Sequence, residues 1–141
     1  MFVLDTNVIS ELRAGKPMPS VSVRSWAAQV PANQLYLAAV TVLELEMGVL
    51  AMERKDSRQG QTLRFWLRGV LEEFSSQVLP FTASTAILCA AMHVPNRRSD
   101  RDAMIAATAK EHGYTIVTRN TDDFSGCGVQ LLNPWLTPDL R

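Results

Sequence analysis

The sequence predicts an α/β fold in which a mostly parallel sheet is covered by helices on both faces. Short apolar runs alternate along the chain with longer segments whose apolar residues recur at helical spacing. Neighbouring parallel strands need long crossover connections, and the helices in those connections cover the sheet. The length of 141 residues predicts one domain spanning residues 1–141, because a chain near this size buries roughly 70% of its unfolded surface.

The first part of the chain predicts two strands and four helices. Asp5, Thr6 and Asn7 follow the first apolar run and can cap a helix, which Gly15 and Pro17 then close. In chain order we expect a strand at residues 2–4, a helix ending at residue 12, a helix at 20–30, a strand at 35–40, a helix from residue 41 through 50, a charged interval at 53–57 and a helix at 63–74.

The second part predicts three further strands and two helices. Gly113 stands where a glycine commonly closes a helix. We expect a strand at residues 78–81, a helix at 85–92, a polar loop at 95–101, a helix at 102–112, strands at 114–118 and 129–132, and a C-terminal tail at 134–141.

Composition excludes several classes of protein. Fourteen basic and fourteen acidic residues give a net charge of +0, so any nucleic-acid contact must depend on local basic patches. Cys89 and Cys127 lack the spacing of a zinc or redox motif, and we expect buried thiols. The first residues do not resemble a signal peptide, and no apolar run has the length of a membrane span, so we expect a cytoplasmic protein without membrane contact.

Four acidic residues are predicted to meet at one edge of the sheet. Ligand crevices in open parallel sheets lie beyond the carboxyl ends of the strands. Asp5 ends the first strand, and Glu44 lies one helical turn beyond the second. Asp102 opens the helix that leads into the strand at 114–118, and Asp123 follows that strand. All four therefore belong to the carboxyl edge.

Such a group of carboxylates indicates a cation site. Like charges held together are costly to desolvate unless a cation neutralises them or some take up protons. Hard oxygen ligands suit Mg²⁺ or Mn²⁺. One or two such ions, roughly 4 Å apart when there are two, can activate a water for phosphodiester cleavage. The pattern thus predicts a nuclease-like mechanism, with His93 and His112 as poor candidates for an acid/base alternative.

Each acid also has a structural interpretation that the sequence leaves open. Asp5 can cap the first helix, and Thr41 with Glu44 matches a capping box. Asp122 and Asp123 can be ordinary turn residues. The carboxylate of Asp102 can interact favourably with the positive end of its helix dipole. Its spacing nevertheless places Asp102 on the helix face that is expected to be buried.

Further polar residues surround the predicted site. Thr6, Asn7, Thr118 and Asn120 can orient ligands or water, although such residues at strand ends are often structural. Four arginines can hold RNA phosphates, with a solvated loop as the alternative: Arg97, Arg98, Arg101 and Arg119.

Five segments occur in a characteristic order along nearly the whole chain: VLDTNVISEL, YLAAVTVLELEMGV, DAMIAATAKEHGYTIVTRN, DDF and NPW. With them, the chain resembles the PIN-domain ribonucleases, and among these the VapC toxins of bacterial toxin–antitoxin pairs, particularly the FitB-like branch. The resemblance implies a three-layer α/β/α sandwich, bound Mg²⁺ or Mn²⁺ and endonucleolytic cleavage of RNA. It also implies a homodimer and a small antitoxin that blocks the site, with DNA contacted only through the antitoxin.

Residue by residue, the resemblance assigns Asp5, Glu44 and Asp102 to the three core acids of the family. Its motif Thr-Arg-Asn-x-x-Asp-Phe selects Asp123 over Asp122, whereas some relatives carry an aspartate at the position of Asn120. The helical pair is expected to form an antitoxin groove or to cover the core, with Arg54, Lys55, Arg58, Arg64, Phe65, Trp66, Leu67 and Arg68 as its candidate residues.

Two other functions compete with this interpretation. A phosphatase can use an aspartate after the first strand as its nucleophile, but Asn7 replaces the second aspartate of the usual Asp-x-Asp motif. A PIN scaffold that has lost cleavage can serve only as an interaction module, although such loss usually removes an acid.

Overall fold

The computed structural model describes residues 1–137, and these contain five strands and six helices. The strands are β1 (Phe2–Leu4), β2 (Leu35–Ala38), β3 (Val78–Leu79), β4 (Thr115–Val117) and β5 (Leu131–Leu132). The helices are α1 (Thr6–Glu11), α2 (Val21–Gln29), α3 (Ala39–Lys55), α4 (Ser57–Glu73), α5 (Ala83–Ala91) and α6 (Asp100–His112). Two single 3₁₀ turns lie at Ala32–Gln34 and Thr121–Phe124.

The sheet has the strand order β3-β2-β1-β4-β5, and every neighbouring pair is parallel. This confirms the predicted α/β fold. The chain builds outward from β1 to β3, and then returns to the other side of β1 with β4. Because the connections reverse direction there, the crevice at the carboxyl ends of β1 and β4 is the place where such sheets bind ligands.

Alternating strand residues supply two cores, one on each face of the sheet. Leu4, Leu37 and Val117 pack with residues of α1 to α4. Val3, Ala38 and Ile116 pack on the opposite face, largely against α6. Side chains of a strand alternate between faces, so each apolar strand contributes to both cores. The expected α/β/α sandwich is confirmed. Within residues 1–137, no helix is both long and apolar enough to cross a membrane.

The boundary between β2 and α3 differs from the prediction. The strand ends at Ala38 and the helix begins at Ala39, so Thr41 lies inside the helix rather than at its start. Thr41 is fully buried, and its hydroxyl has no hydrogen-bond partner among the described residues. The sequence predicts Ala39 and Val40 in the strand because the periodicity of a short buried apolar run does not distinguish a strand from a helix.

The predicted break at residues 53–57 is also wrong for most of its length. Helix α3 continues to Lys55, and only Asp56 separates it from α4. The carboxylate of Asp56 accepts hydrogen bonds from the backbone N–H groups of Arg58 and Gln59 and so caps α4. The charged residues at 53–57 predicted a loop. In the structure, Glu53 belongs to α3 and joins it to α4 through an ion pair with Arg64.

The other differences concern the ends of the elements. Helix α6 begins at Asp100, which makes Asp102 its third residue rather than its first. Gly113 closes α6 with a φ of 70°, as expected of a left-handed cap. The predicted tail at 134–141 is described only as far as Thr137, and its remaining residues lie outside the described range. Its first part is not free of the core, since Pro134 is buried and Trp135 packs against the core of α1 to α4.

A buried carboxylate that the sequence did not single out fixes α1 to α2. Glu11 accepts hydrogen bonds from the backbone of Ser20 at 2.9 Å and pairs with Lys16 at 3.2 Å. Burial opposes the ionised form, but the Ser20 and Lys16 contacts and the charge of Arg24 outweigh it and lower the pKa of Glu11. This anchor holds the far end of α1, the helix that begins directly after Asp5.

Helices α3 and α4 form a close antiparallel pair, and Gly60 allows their approach. A Cβ at this position would lie 2.5 Å from the Cα of Glu53. Gly69, on the same helix, has nothing within 4 Å of the corresponding point.

We predict that Gly60→Ala lowers the free energy of unfolding by about 1–3 kcal/mol, because the added methyl group forces the two backbones apart. Gly69→Ala is the matched control and should raise it by about 0.5–1 kcal/mol through helix propensity alone. Urea unfolding of both variants checks this. Equal stabilisation by the two alanines would show that the helices are not in close contact at Gly60.

Candidate active site

Asp5 lies at the carboxyl end of the central strand and is held by three donors. Its Oδ1 accepts from the backbone N–H of Thr6 at 2.8 Å. Its Oδ2 accepts from the hydroxyl of Thr118 at 2.8 Å and from the side-chain amide of Asn7 at 3.3 Å. Burial raises the pKa of Asp5 and the charge of Asp123 adds to this, while the three hydrogen bonds offset part of the rise. Asp5 is thus both the helix cap and a member of the acid cluster.

Glu44 reaches the same edge from the second turn of α3. Its Oε1 accepts from the hydroxyl of Thr6 at 3.1 Å, and its Oε2 lies 3.8 Å from Nη1 of Arg101. Burial raises the pKa of Glu44, and the nearby charge of Asp5 raises it further. The capping-box interpretation is wrong, because α3 begins at Ala39 and has no side-chain cap. The carboxylate is therefore directed toward α1 and not back to its own helix start.

Asp102 is partly buried in the first turn of α6, among the other acids. Burial raises the pKa of Asp102, and the charges of Asp123, Asp5 and Glu44 each raise it further. The other three predicted acids are therefore all close enough for their charges to act on Asp102. Asp123 is exposed in the turn Thr121–Phe124, with its N–H donating to the carbonyl of Asn120 at 3.1 Å. Of the two neighbouring aspartates, it is Asp123 whose charge acts on Asp5 and Asp102.

The polar residues predicted around the site form one hydrogen-bond network. The hydroxyl of Thr118 donates to Asp5 and accepts from the amide of Asn7 at 3.3 Å and the N–H of Asn120 at 3.0 Å. The side-chain Oδ1 of Asn7 accepts from the backbone N–H of Arg119 at 3.2 Å. This network joins the ends of β1 and β4 and fixes the orientation of the Asp5 carboxylate.

Of the four predicted arginines, Arg101 lies next to an acid of the site, and Arg119 lies just after β4. Arg101 is within ion-pair distance of Glu44 and also contacts the sulfur of Met47 at 3.6 Å. Arg119 is exposed, and its guanidinium lies 5.2 Å from the ring centre of Trp135. Stacking of this kind holds the planar cation at the end of β4.

The other two arginines are engaged on the loop before α6. Arg97 is exposed and pairs with Asp100 at 3.3 Å. Arg98 donates from Nε to the carbonyl of Met92 at 3.1 Å, and its guanidinium lies against Gly126. The structure therefore places Arg97 in a surface ion pair and gives Arg98 a contact that holds its own loop.

The acid cluster is open. Among residues 1–137, no three acidic, histidine or cysteine side chains are positioned to close around a single ion. Neighbouring carboxylates nevertheless raise the pKa of Asp5, Glu44 and Asp102, and the charge of Arg101 offsets part of the rise at Glu44. The edge thus concentrates negative charge, with Arg101 within ion-pair distance of Glu44.

A family model for the PIN domain matches residues 2–127. The chain belongs to the PIN domain family. Among curated relatives, it is 38% identical to the VapC ribonuclease Y4jK of Sinorhizobium fredii, with 96% of this chain and 98% of the relative covered. It is 34% identical to the toxin FitB of Neisseria gonorrhoeae, with 96% and 99% covered. A solved structure of FitAB bound to an IR36 DNA fragment matches with a TM-score of 0.87 and 32% identity over 100% of both chains.

The proposed groove residues of the helical pair do not share one surface. Leu67 is fully buried in the core, whereas Phe65 is 81% exposed. Arg64 is engaged with Glu46 and Glu53 of α3. Neighbouring helical residues point about 100° apart, so these consecutive side chains cannot line one groove. Trp66 instead lines a cavity beside Glu44 that the sequence did not reveal.

We predict that Thr118→Val lowers the free energy of unfolding by about 1–3 kcal/mol, because the buried Asp5 carboxylate loses its shortest side-chain hydrogen bond. Thr115→Val, on the same strand, is the control and should change it by less than about 0.5 kcal/mol. Among the described residues, the Thr115 hydroxyl makes one hydrogen bond, a long and exposed contact of 3.4 Å to Gln130. Chemical denaturation measures both variants, and an unchanged stability of Thr118→Val would contradict the role given to this hydroxyl.

Proposed function

We propose that this chain is a metal-dependent endoribonuclease and the toxin of a toxin–antitoxin pair. The observation that carries the proposal is the group of Asp5, Glu44, Asp102 and Asp123 at one edge of the sheet, where neighbouring charges raise the pKa of Asp5, Glu44 and Asp102. The names of the relatives, a VapC ribonuclease and the toxin FitB, support the same function.

The donor set fits Mg²⁺ or Mn²⁺. It consists of carboxylate oxygens, which these hard cations prefer over nitrogen or sulfur ligands. Mg²⁺ usually keeps several waters and binds through one or two carboxylates, so an open cluster is compatible with it. We assign Asp5 and Asp102 as the principal ligands, with Glu44 and Asp123 completing a site for one or two ions. When bound, the metal activates a water and neutralises charge on the phosphate.

The protein's own residues position the ligands and the substrate. Thr118 and Asn7 fix Asp5, and Thr6 fixes Glu44. Arg101 offers its guanidinium beside Glu44, where it can bind an RNA phosphate in bidentate fashion. Arg119 offers a second phosphate contact at the end of β4. Arg97 and Arg98 are weaker candidates because their side chains already have partners.

We assign a small antitoxin as the protein partner. The FitAB structure bound to DNA has a chain similar to this one, and DNA contact through the antitoxin accords with the neutral net charge. Leu43, Met47 and Leu50 form an exposed apolar stripe on α3, between 44% and 54% exposed. It lies beside Glu44 and Arg101, so an amphipathic segment docked on it also covers the acids. The homodimer stays a prediction.

The competing functions have less support in the geometry. An aspartyl phosphatase needs a lysine at the site, but Lys16 pairs with Glu11. Asn7, in the position of the second aspartate, orients Asp5 rather than donating a proton to a leaving group. A silent scaffold leaves without a use the three acids whose charges raise the pKa of Asp102. Cys89 and Cys127 are free thiols, which accords with a location in the reducing cytoplasm.

We predict that the protein, freed of any partner, cleaves RNA with Mg²⁺ or Mn²⁺ and stops in EDTA. Asp102→Asn should lower kcat at least about a hundredfold, because it removes a ligand of the metal that stabilises the transition state. Asp100→Asn, two residues earlier and exposed, is the matched control and should leave kcat near that of the wild type. A gel assay on a labelled RNA checks all three. Cleavage that persists in EDTA would refute the metal mechanism.

A further inference from the structure

A cavity of about 300 Å³ opens beside Glu44, between α1 and the α3–α4 pair. Thr6 and Glu44, which hydrogen-bond to each other, form its end nearest the acids. Leu63 and Trp66 supply apolar walls, and Arg13 and Lys16 lie at its basic side. The cavity therefore shares Glu44 with the acid cluster and carries two basic side chains, Arg13 and Lys16.

Within residues 1–137, Arg13 is the cation of this cavity whose side chain has no partner. Lys16 is already paired with Glu11 at 3.2 Å. The side chain of Arg13 makes no hydrogen bond or ion pair with any residue in the range 1–137, although its backbone carbonyl accepts from Arg24. The hydroxyl of Ser10, one turn earlier on α1, is likewise without a side-chain hydrogen bond within this range. A phosphate placed here would gain a charge-assisted contact without breaking an existing ion pair.

Trp66 gives the cavity a surface suited to a nucleobase. It is only partly buried, and it lines both this cavity and the one beneath it, next to Leu4 and Phe74. Aromatic rings at the edge of a nucleic-acid path hold bases by stacking, and they accept any base because each has a π-face.

We propose that this cavity is a subsite for the RNA nucleotide next to the scissile phosphate, with its phosphate on Arg13 and its base against Trp66. The inference rests on the proposed ribonuclease function. The volume suits one nucleotide-sized group rather than a folded segment. Unpaired positive charge, an aromatic wall and continuity with Glu44 together match a phosphodiester chain better than an apolar peptide. Arg13 is then a binding residue for substrate and takes no part in the chemistry.

The test compares Arg13→Gln with Lys110→Gln, which removes the same charge from the exposed last turn of α6, away from the acids. Steady-state cleavage of a short single-stranded RNA should show KM raised about tenfold by Arg13→Gln with kcat nearly unchanged, as for loss of one charge-assisted contact. Arg13→Lys should recover part of the affinity. Lys110→Gln should match the wild type.

Salt dependence supplies a second readout. The binding measurement uses the Asp102→Asn background, which keeps the RNA intact. In a plot of the logarithm of the RNA association constant against the logarithm of the salt concentration, Arg13→Gln should reduce the slope by about 0.7, the value for one phosphate contact on a single strand. Binding of the same RNA should also quench tryptophan fluorescence less in Trp66→Phe than in the parent protein.

The experiments distinguish a failure of the proposed ribonuclease function from a failure of the nucleotide subsite. Absence of any cleavage by the wild-type protein would overturn the proposed function. Normal wild-type cleavage with an unchanged KM and salt slope in Arg13→Gln would overturn the subsite alone. If Arg13→Gln instead weakened only the association of a co-purifying protein, the cavity would belong to that partner, and the subsite would again be refuted.

Discussion

The Asp5 carboxylate is buried at the end of the central strand, and the geometry of the whole edge depends on how it is held. Its hydrogen bonds from Thr6, Asn7 and Thr118 tie the start of α1 to the end of β4. A buried carboxylate is tolerated only when donors or a cation compensate for lost hydration. The donors here compensate in part, since the pKa of Asp5 stays above its ordinary value. The remaining cost is what a bound cation would remove.

Two further features bring the other acids to the same place. The tight α3–α4 pair and the burial of Thr41 fix the helix that carries Glu44. The packing of α6 against Val3 and Ile116 sets the position of Asp102. Both helices begin at the carboxyl edge because each is a crossover connection of a parallel sheet. The like charges at this edge thus lower the stability of the fold, as is common at functional sites.

Much of this arrangement could be predicted from sequence. Apolar strands and helix periodicity were sufficient to predict a mostly parallel sheet covered by helices, and the position of each acid relative to a strand end was sufficient to expect the cluster. The failures were local. Thr41 resembled a cap because residues 39–41 have no clear period, and residues 53–57 resembled a loop because charge pairing between helices is not visible in one segment. The cavity at Arg13 and Trp66 depends on how α1 packs against α4, which no local pattern encodes.

The most direct test of mutual repulsion among the acids is the unfolding free energy of Asp102→Asn, with Asp100→Asn as control, in EDTA and in Mn²⁺. In EDTA the account predicts that Asp102→Asn is more stable than the wild type, because one opposing charge is gone. At Mn²⁺ near 100 times its Kd, the wild type should gain about 2.7 kcal/mol, and Asp102→Asn should gain far less. A less stable Asp102→Asn in EDTA, or an equal gain with Mn²⁺, would contradict a cation site built on these carboxylates.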